Sequence, residues 1–345
     1  MRAFYALFVA RNKEFLRDRG TLAWNFLFPF LAVFALAVIF SGDGREVYKV
    51  AVVGAPPGAT AEAAPAAAAS RVRAFLHTRY IQFVPMAALA TAQEKVRHHQ
   101  LDMVLDFSNG TRYWINPSNP KGYFLERVLW GAGGADGFRR GELAGREIRY
   151  VDWLLPGILG MNLMFSCLWG VGYVVVRYRK GLVLRRLKAA PVTAFQFILA
   201  QIASRLILVL FVTAVLFFGM DLVLDFFRLG SLLDLFAVFA LGAVCHIALG
   251  ILIASRTQSQ ELAGGLLNLA TWPMMFLSGV WFSLEDNADW LLFVARLFPL
   301  THMIDAARAV ILDGAALPAL WPQLAVLGGM TAVFLALGSA LFRWE

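Results

Sequence analysis

The chain has 345 residues, of which 59% are hydrophobic and only 16% are charged. Soluble globular domains carry about 25% charged residues, so this composition excludes an ordinary soluble protein and favours a membrane protein. The formal net charge of +8 does not indicate nucleic-acid binding, because the basic residues cluster in short loops between apolar runs.

Six uncharged runs predict a polytopic α-helical membrane protein with six transmembrane helices. A helix needs about 20 apolar residues to cross a bilayer about 30 Å thick, and five of the runs reach that length. The shorter run, 206–220, is long enough if it begins near Phe197 and if Arg205 snorkels toward the inner headgroups. The runs are 21–41, 153–176, 206–220, 235–255, 262–284 and 319–342.

Residues 1–20 are predicted to form an interfacial helix on the cytoplasmic face of the membrane. Phe4 and Phe8 lie on one side of this helix, while basic residues such as Arg11 would meet lipid headgroups. A solvated N-terminal extension is the alternative. About twenty residues precede the first apolar run and no cleavage pattern of small residues follows it, so residues 21–41 are predicted as the first transmembrane helix.

Residues 42–150 alternate between short strands and helices, which predicts a small external α/β domain with a largely parallel sheet. Strands are predicted at "VYKVAVVG", "YIQFVP", "LDMVLDF" and "TRYWIN", and helices at "AAAASRVRAFLHTR" and "MAALATAQEKVRHH". The glycine-rich segment 131–145 is interpreted as a loose return to the membrane.

Neither a metal site nor a disulfide is expected. His98 and His99 are adjacent, so they point to different faces of a helix, and no cysteine lies near them in the sequence. Cys167 and Cys245 both lie inside apolar runs, where free cysteine packs as a small hydrophobic residue.

Residues 151–345 are predicted as a five-helix transmembrane region. The short loops on the side of the N terminus carry many more lysines and arginines than the short loops on the opposite side. Because such loops stay in the cytoplasm, both termini are predicted to be cytoplasmic and residues 42–150 to lie outside.

A basic cytoplasmic loop is predicted at 177–196. Six of its first twelve residues are basic and none is acidic. Basic side chains near an anionic leaflet contribute about 1 kcal/mol each, so they would hold the loop at the membrane surface. Leu184 and Leu187 share one helical face, which could enter an apolar groove of a partner. A topology signal without any partner is the alternative.

An outer re-entrant segment is predicted at 285–312. Its apolar residues have helical spacing, but Pro299 divides it into two pieces of about ten residues, each too short to cross a bilayer. Two half-helices that dip into the outer interface and return are therefore expected.

Catalytic motifs are missing from the sequence. It contains no G-x-x-x-x-G-K-[ST], no H-E-x-x-H and no G-x-S-x-G, which argues against an ATPase, a metalloprotease and a serine hydrolase. The polar residues Asn162, His246 and Asn268 lie in predicted spans and are candidates for a translocation path. For His246, a neutral imidazole that bonds across helices is the alternative.

Several segments resemble the type-2 ABC exporter permeases. "YRKGLVLRRLKAAPVTAFQFILAQ" is similar to the first cytoplasmic loop of that family, and "FLSGVWFSLED" with "LFPLTHMIDAARAVILDG" is similar to its fifth span and re-entrant helices. The family pattern usually has a glycine where this chain has Leu182. The resemblance assigns ATPase coupling to Arg179, Lys180, Gly181, Leu184, Arg185, Leu187 and Pro191. It assigns the re-entrant motif to Phe298, Pro299, Asp305 and Arg308.

The resemblance implies a permease subunit of an ATP-driven exporter in the bacterial inner membrane, with a drug-, antibiotic- or lipid-like cargo. The subunit itself would bind no cofactor and would not be an enzyme, since ATP and Mg²⁺ belong to a separate ABC ATPase subunit. A second permease copy, identical or paralogous, the phospholipid membrane and a periplasmic adaptor are the other implied partners. A membrane-anchored sensor with an external ligand-binding domain is the alternative function.

Overall fold

The computed structural model describes residues 2–39, 48–54, 74–108, 111–134, 138–145, 148–189, 193–284 and 288–342. The chain divides into a membrane unit, Met1–Ile39 with Tyr150–Glu345, and an α/β unit, Phe40–Arg149. Most of the predicted helix "AAAASRVRAFLHTR" lies outside the described residues, as does Pro191.

The membrane unit begins with two consecutive helices. Helix α1 spans Arg2–Arg17, where the interfacial helix is expected, and α2 spans Arg19–Ile39. Helix α2 contains Pro29 in its interior. Proline cannot donate the backbone hydrogen bond that the helix needs at that position.

The α/β unit contains a five-stranded sheet in the order β2-β1-β3-β4-β5. Strand β1 pairs in parallel with β2 and β3, β3 is antiparallel to β4, and β4 is parallel to β5. The strands are β1 Tyr48–Val53, β2 Ile81–Met86, β3 Met103–Asp106, β4 Arg112–Ile115 and β5 Arg139–Glu142.

Both faces of this sheet carry apolar side chains because β1 and β3 are apolar at consecutive positions. On one face, Val50 and Met103 pack with Leu125 of helix α4, Pro120–Leu129. On the other face, Ala51 packs with residues of helix α3, Leu89–Arg97. Strands buried on both faces are typical of parallel sheets.

The interpretation of 131–145 as a loose return was wrong. Strand β5 lies within this segment, and Trp114 of β4 is opposite Gly141 in the ladder. Because β5 reads "RRGE" and lies at the edge of the sheet, it has no apolar alternation by which the sequence could reveal it.

The remaining part of the membrane unit is helical. Its helices are α5 Tyr150–Cys167, α6 Val174–Lys180, α7 Val183–Ala189, α8 Ala194–Leu224, α9 Leu232–Ala254, α10 Gln260–Leu277, α11 Asp289–Arg296, α12 Pro299–Asp313 and α13 Trp321–Leu341. A π-helical segment, Leu168–Tyr173, joins α5 to α6, so these elements form one long rod. Helix α9 packs against α13, α12 and the π-helical segment and is therefore central to the unit.

Four helical stretches in the described residues are long and apolar enough to cross a membrane, or five if one bent pair counts as a span. The four are Tyr150–Lys180, Gln196–Leu224, Leu232–Ala254 and Leu317–Leu341. The second begins at Gln196, well upstream of the short run 206–220. These spans support a polytopic helical membrane protein. Helices α2 and α10 lie where the first and fifth spans are predicted but are not among the four, so the count of six remains a prediction.

The bent pair is formed by α11 and α12, which meet at 96°. Pro299 is at the first position of α12, where the missing N–H of proline costs nothing. The break therefore lies at the proline that predicts it. A bend of this size fits a broken span or a re-entrant loop.

Candidate functional site

We define the basic elbow as residues 177–189. Within it, Leu182 has a backbone conformation that is unfavourable for residues other than glycine. After α6, the Gly181 N–H donates to the Arg177 carbonyl at 2.9 Å and the Leu182 N–H to the Arg179 carbonyl at 3.1 Å. Leu182 then has φ 56°, in the left-handed region. This conformation costs a residue other than glycine about 1 kcal/mol. Its side chain is 52% exposed.

Arg179 connects the elbow to the end of α9. Its side chain is 7% exposed, and its guanidinium donates to the carbonyls of Ala254 at 2.8 Å and Ser255 at 3.1 Å. It also donates to the carbonyl of Thr257. The last carbonyls of a helix lack partners within the helix and carry partial negative charge, so a guanidinium stabilises them. Arg179 is therefore placed to hold the elbow in position and does not face outward.

The expectation that Leu184 enters a groove of a partner was wrong for the chain as folded. Leu184 is fully buried within the chain itself, although it shares a short helix with exposed residues. An apolar position on one helical face indicates burial without saying which surface covers it. Of the predicted coupling residues, the structure leaves Lys180, Gly181 and Arg185 exposed. Leu182 and Val183, which were not among them, are exposed as well. The side chain of Leu187 lies outside the described residues.

A latch joins α1 to the base of the elbow; we define it as Arg11, Glu14, Arg177 and Tyr178. Arg11 forms an ion pair with Glu14 at 2.7 Å, and Glu14 also accepts hydrogen bonds from Arg177 and the Tyr178 hydroxyl. Burial raises the pKa of the Glu14 carboxyl, but the Tyr178 hydrogen bond and the two arginines outweigh it, so the pKa lies below its ordinary value.

The π-helical segment is held by two arginines. Arg11 donates to the Gly170 carbonyl at 2.5 Å, and Arg205 of α8 donates from Nε to the Ser166 carbonyl at 2.7 Å. A π-helical segment disturbs the regular ladder of a helix, so carbonyls near it can accept side-chain donors. Gly170 leaves room for this contact, because a Cβ atom there would lie 2.1 Å from Cζ of Arg205.

The prediction that Arg205 snorkels toward the headgroups was wrong. The side chain is 6% exposed and also donates to the Ser166 hydroxyl at 2.8 Å. Its guanidinium lies 5.3 Å from the ring centroid of Phe15 in α1. Arg205 therefore ties α8 to α5 and α1 within the unit.

The three candidates for a translocation path lie on three different helices. Asn162 of α5 donates to the Asn25 carbonyl at 3.2 Å, which joins α5 to α2. His246 of α9 is fully buried; its Nδ1 is 2.7 Å from the Gly242 carbonyl, and its Nε2 has no hydrogen-bond partner among the described residues. Asn268 of α10 is exposed. Within the described chain, no hydrogen bond joins any two of the three.

The re-entrant motif is organised around Arg308 of α12. Its Nε donates to the Trp153 carbonyl at 3.2 Å, its Nη2 donates to the Gly279 carbonyl at 2.6 Å, and its Cζ lies 3.6 Å from the centroid of the Trp153 ring. Arg308 therefore joins the bent pair to α5 and to the end of α10. Phe298 is half-buried at the N-cap of α12, Pro299 is buried and Asp305 is exposed.

Sequence reasoning missed the latch and the role of Gly170. Glu14 and Tyr178 are separated by 164 positions and Arg11 and Gly170 by 159, so no local spacing connects them. The only sequence signal is a glycine within an apolar run, which indicates a close approach without naming the neighbour.

The apolar spans, the basic elbow and the bent pair together define a polytopic helical membrane protein with permease-like architecture. Residues 101–312 match the family model described as ABC-2 type transporter, which covers more than half of the chain. The chain therefore belongs to the ABC-2 type transporter family of membrane permeases.

Two known proteins are similar to this chain over about half of its length. The chain is 27% identical over 191 residues to "Inner membrane transport permease YhhJ" of Escherichia coli (strain K12), covering 53% of this chain and 49% of that protein. It is 25% identical over 198 residues to "Probable multidrug ABC transporter permease YbhR" of the same organism, covering 57% and 54%. The chain thus spans about half the length of the curated relatives it matches.

Proposed function

We propose that this chain is the membrane subunit of an ATP-driven exporter that moves an amphiphilic or hydrophobic cargo outward across the bacterial inner membrane. The observation that carries the proposal is the basic elbow at the end of a 31-residue apolar rod, Tyr150–Lys180. It presents Leu182 and Val183 beside exposed cations. Membership of the ABC-2 type transporter family supports it.

The elbow would receive force from a separate ABC ATPase subunit that binds ATP and Mg²⁺. Leu182 and Val183 supply an apolar contact for an ATPase groove, and Lys180 and Arg185 supply charge. Arg179 transmits a displacement of the elbow to α9, and the latch transmits it to α1. Charge-assisted contacts are suited to this because they are short and directional.

The working unit would contain two permease copies and two ATPase subunits. Both termini would lie in the cytoplasm, and residues 42–150 would lie outside, where they meet cargo or a periplasmic adaptor. The cargo must favour one of the inward-open and outward-open states if binding is to bias transport. The described spans are largely apolar, which suits an amphiphile better than a strongly ionic cargo.

Co-purification with an ABC ATPase from the native membrane tests the proposal. The double variant Leu182→Asp/Val183→Asp should lose the ATPase and its stimulation while remaining folded, because both side chains are exposed. Leu229→Asp, at an exposed leucine in the loop between α8 and α9, is the matched control and should change neither. Normal coupling in the double variant would exclude this docking surface.

Reconstituted vesicles test the division of labour. The chain alone should move no cargo when ATP is supplied, and transport should appear when the ATPase subunit is added. Nucleotide-driven transport by the chain alone would refute the proposal. A membrane-anchored sensor would show no ATPase in the co-purified material.

A further inference from the structure

Helix α4 of the α/β unit has an unusual outward face. Its inward face buries Gly122, Leu125, Glu126 and Leu129 against the sheet. A surface helix with such a pattern usually carries polar residues on its other side. Here that side exposes Tyr123 (50%), Phe124 (57%), Val128 and Trp130. Exposed apolar clusters on a helix face are a common feature of binding sites.

The aromatic side chains of this face are in contact with one another and with a cation. The rings of Tyr123 and Phe124 meet edge to face with centroids 6.0 Å apart. The Arg127 guanidinium lies 5.2 Å from the centroid of Tyr123 and 5.0 Å from that of Trp130. We call these residues, with Val128, the aromatic face. From Phe124 to Trp130 it extends roughly 9 Å along the helix axis.

A polar cavity of about 330 Å³ opens at the beginning of α4. Its size falls in the range of small-molecule sites. Phe124 belongs both to the cavity and to the aromatic face, so the two are continuous. The lining residues are Tyr48, His99, Asp102, Ser118, Asn119, Pro120, Lys121 and Phe124.

Both carboxylate oxygens of Asp102 in this cavity already accept hydrogen bonds from neutral N–H groups of the protein. One oxygen of Asp102 accepts the Lys49 N–H at 2.8 Å, and the other accepts the Asn119 side-chain N–H at 3.1 Å. In contrast, Lys121 makes no ion pair with any carboxylate in the described part of the chain. Among the described lining residues, Lys121 is therefore the charged group that is free to pair with an anion.

We infer that the cavity and the aromatic face together bind an anionic amphiphile. Its phosphate or carboxylate head would occupy the cavity at Lys121, and its apolar chain would lie along Phe124 and Val128, which share one side of the helix with Lys121. A polar cavity and an apolar strip that share Phe124 match a molecule with a head and a tail. Interpreting this ligand as cargo rests on the proposed export function, whereas the binding itself does not.

Photo-crosslinking tests the assignment on the full-length chain in nanodiscs of zwitterionic phosphatidylcholine. The probes are dodecyl phosphate, dodecanoate and dodecyl maltoside, each with a diazirine on the alkyl chain, and mass spectrometry locates the labelled residues. We expect at least one anionic probe to label residues 123–130 of α4 and the uncharged maltoside to label them roughly tenfold less, because a charge-assisted contact is lost. The phosphate and carboxylate arms identify which head the site takes.

Two variants and one control separate this site from general lipid contact. Lys121→Gln should lower the anionic labelling roughly tenfold, because a charge-assisted contact is lost. The helix itself should be unaffected, because the N-cap contact at this position uses only the backbone N–H of Lys121. Phe124→Ser should lower it by a similar factor. Arg79→Gln removes an exposed cation of the same unit that does not line the cavity, and it should leave the labelling unchanged.

Four results would overturn the assignment. The first is labelling of α4 by the maltoside as strong as by the anionic probes, and the second is labelling that survives Lys121→Gln. The third is labelling confined to the membrane unit. The fourth is full competition by millimolar inorganic phosphate, which would assign the cavity to free phosphate. None of these requires an ATPase. Intact labelling in a chain that fails the co-purification test would contradict the export proposal alone.

Discussion

Arg179 is the position at which a single substitution should separate the elbow from the rest of the membrane unit. The side chain is buried, donates to three carbonyls at the end of α9 and lies 5.9 Å from the ring centroid of Phe342. Arg179→Ala should therefore leave the last turn of α9 without its partners and remove the connection between α9 and α6.

The expected cost follows from these contacts. A hydrogen bond to a charged group contributes about 1.5–3 kcal/mol, but the three bonds share one guanidinium and water can replace part of what is lost near a helix end. We therefore expect Arg179→Ala to destabilise the folded chain by about 3–5 kcal/mol, comparable to the removal of one partner from a buried pair. Arg179→Lys keeps the charge but cannot reach all three carbonyls together, so it should be intermediate.

Thermal unfolding in one detergent, at a fixed heating rate, measures the effect. The midpoint should fall by on the order of 10 °C for Arg179→Ala and by less for Arg179→Lys. Lys180→Ala is the matched control, since Lys180 is adjacent in sequence but exposed, and its midpoint should not change. An Arg179→Ala midpoint equal to that of the control would refute the reasoning that the elbow is fixed through α9.

Three further predictions concern the latch, the elbow and the π-helical segment. The lowered pKa of Glu14 means that the latch stabilises the fold above the ordinary pKa of 4.5 and loses this contribution as the pH falls below that value. Glu14→Gln should therefore flatten the acid limb in a plot of unfolding midpoint against pH. Leu182→Gly should raise stability by about 1 kcal/mol while weakening ATPase binding, as measured by unfolding and co-purification. Gly170→Ala should lower the midpoint by displacing Arg205, whereas Gly328→Ala, where a Cβ meets open space, should not.

Each of these has a result that contradicts it. An acid limb that is unchanged in Glu14→Gln would assign the acid sensitivity to other carboxylates. A loss of stability in Leu182→Gly would show that the side chain stabilises the elbow more than its backbone conformation destabilises it. Equal midpoints for the two alanine variants would mean that Arg205 moves aside without cost.

The sequence predicted the elements whose residues carry a strong local pattern. Strands β1 and β3 were located because they are short continuous apolar runs, and the break before α12 because proline has a specific backbone requirement. Strand β5 was missed because an edge strand made of polar residues has no such pattern.

The candidate site was predictable in its position but not in the direction of its side chains. Helical periodicity placed Leu184 on an apolar face, but the same periodicity serves a residue that docks a partner and one that packs inside its own chain. The exposed Leu182 could be found only from the backbone, since a left-handed conformation does not depend on apolar spacing. The latch depends on pairs separated by more than 150 positions, which only the folded chain brings together.

The π-helical segment, Leu168–Tyr173, sets the angular register of α6, which continues from it without a break. One residue corresponds to about 100° of rotation around a helix axis, so the extra residue of a π-type turn rotates the following helix by that amount relative to an uninterrupted α-helix. Arg177 and Arg179 therefore point to α1 and α9 only because this residue is present. Deleting one residue here would restore a regular helix and turn both arginines toward the wrong neighbours.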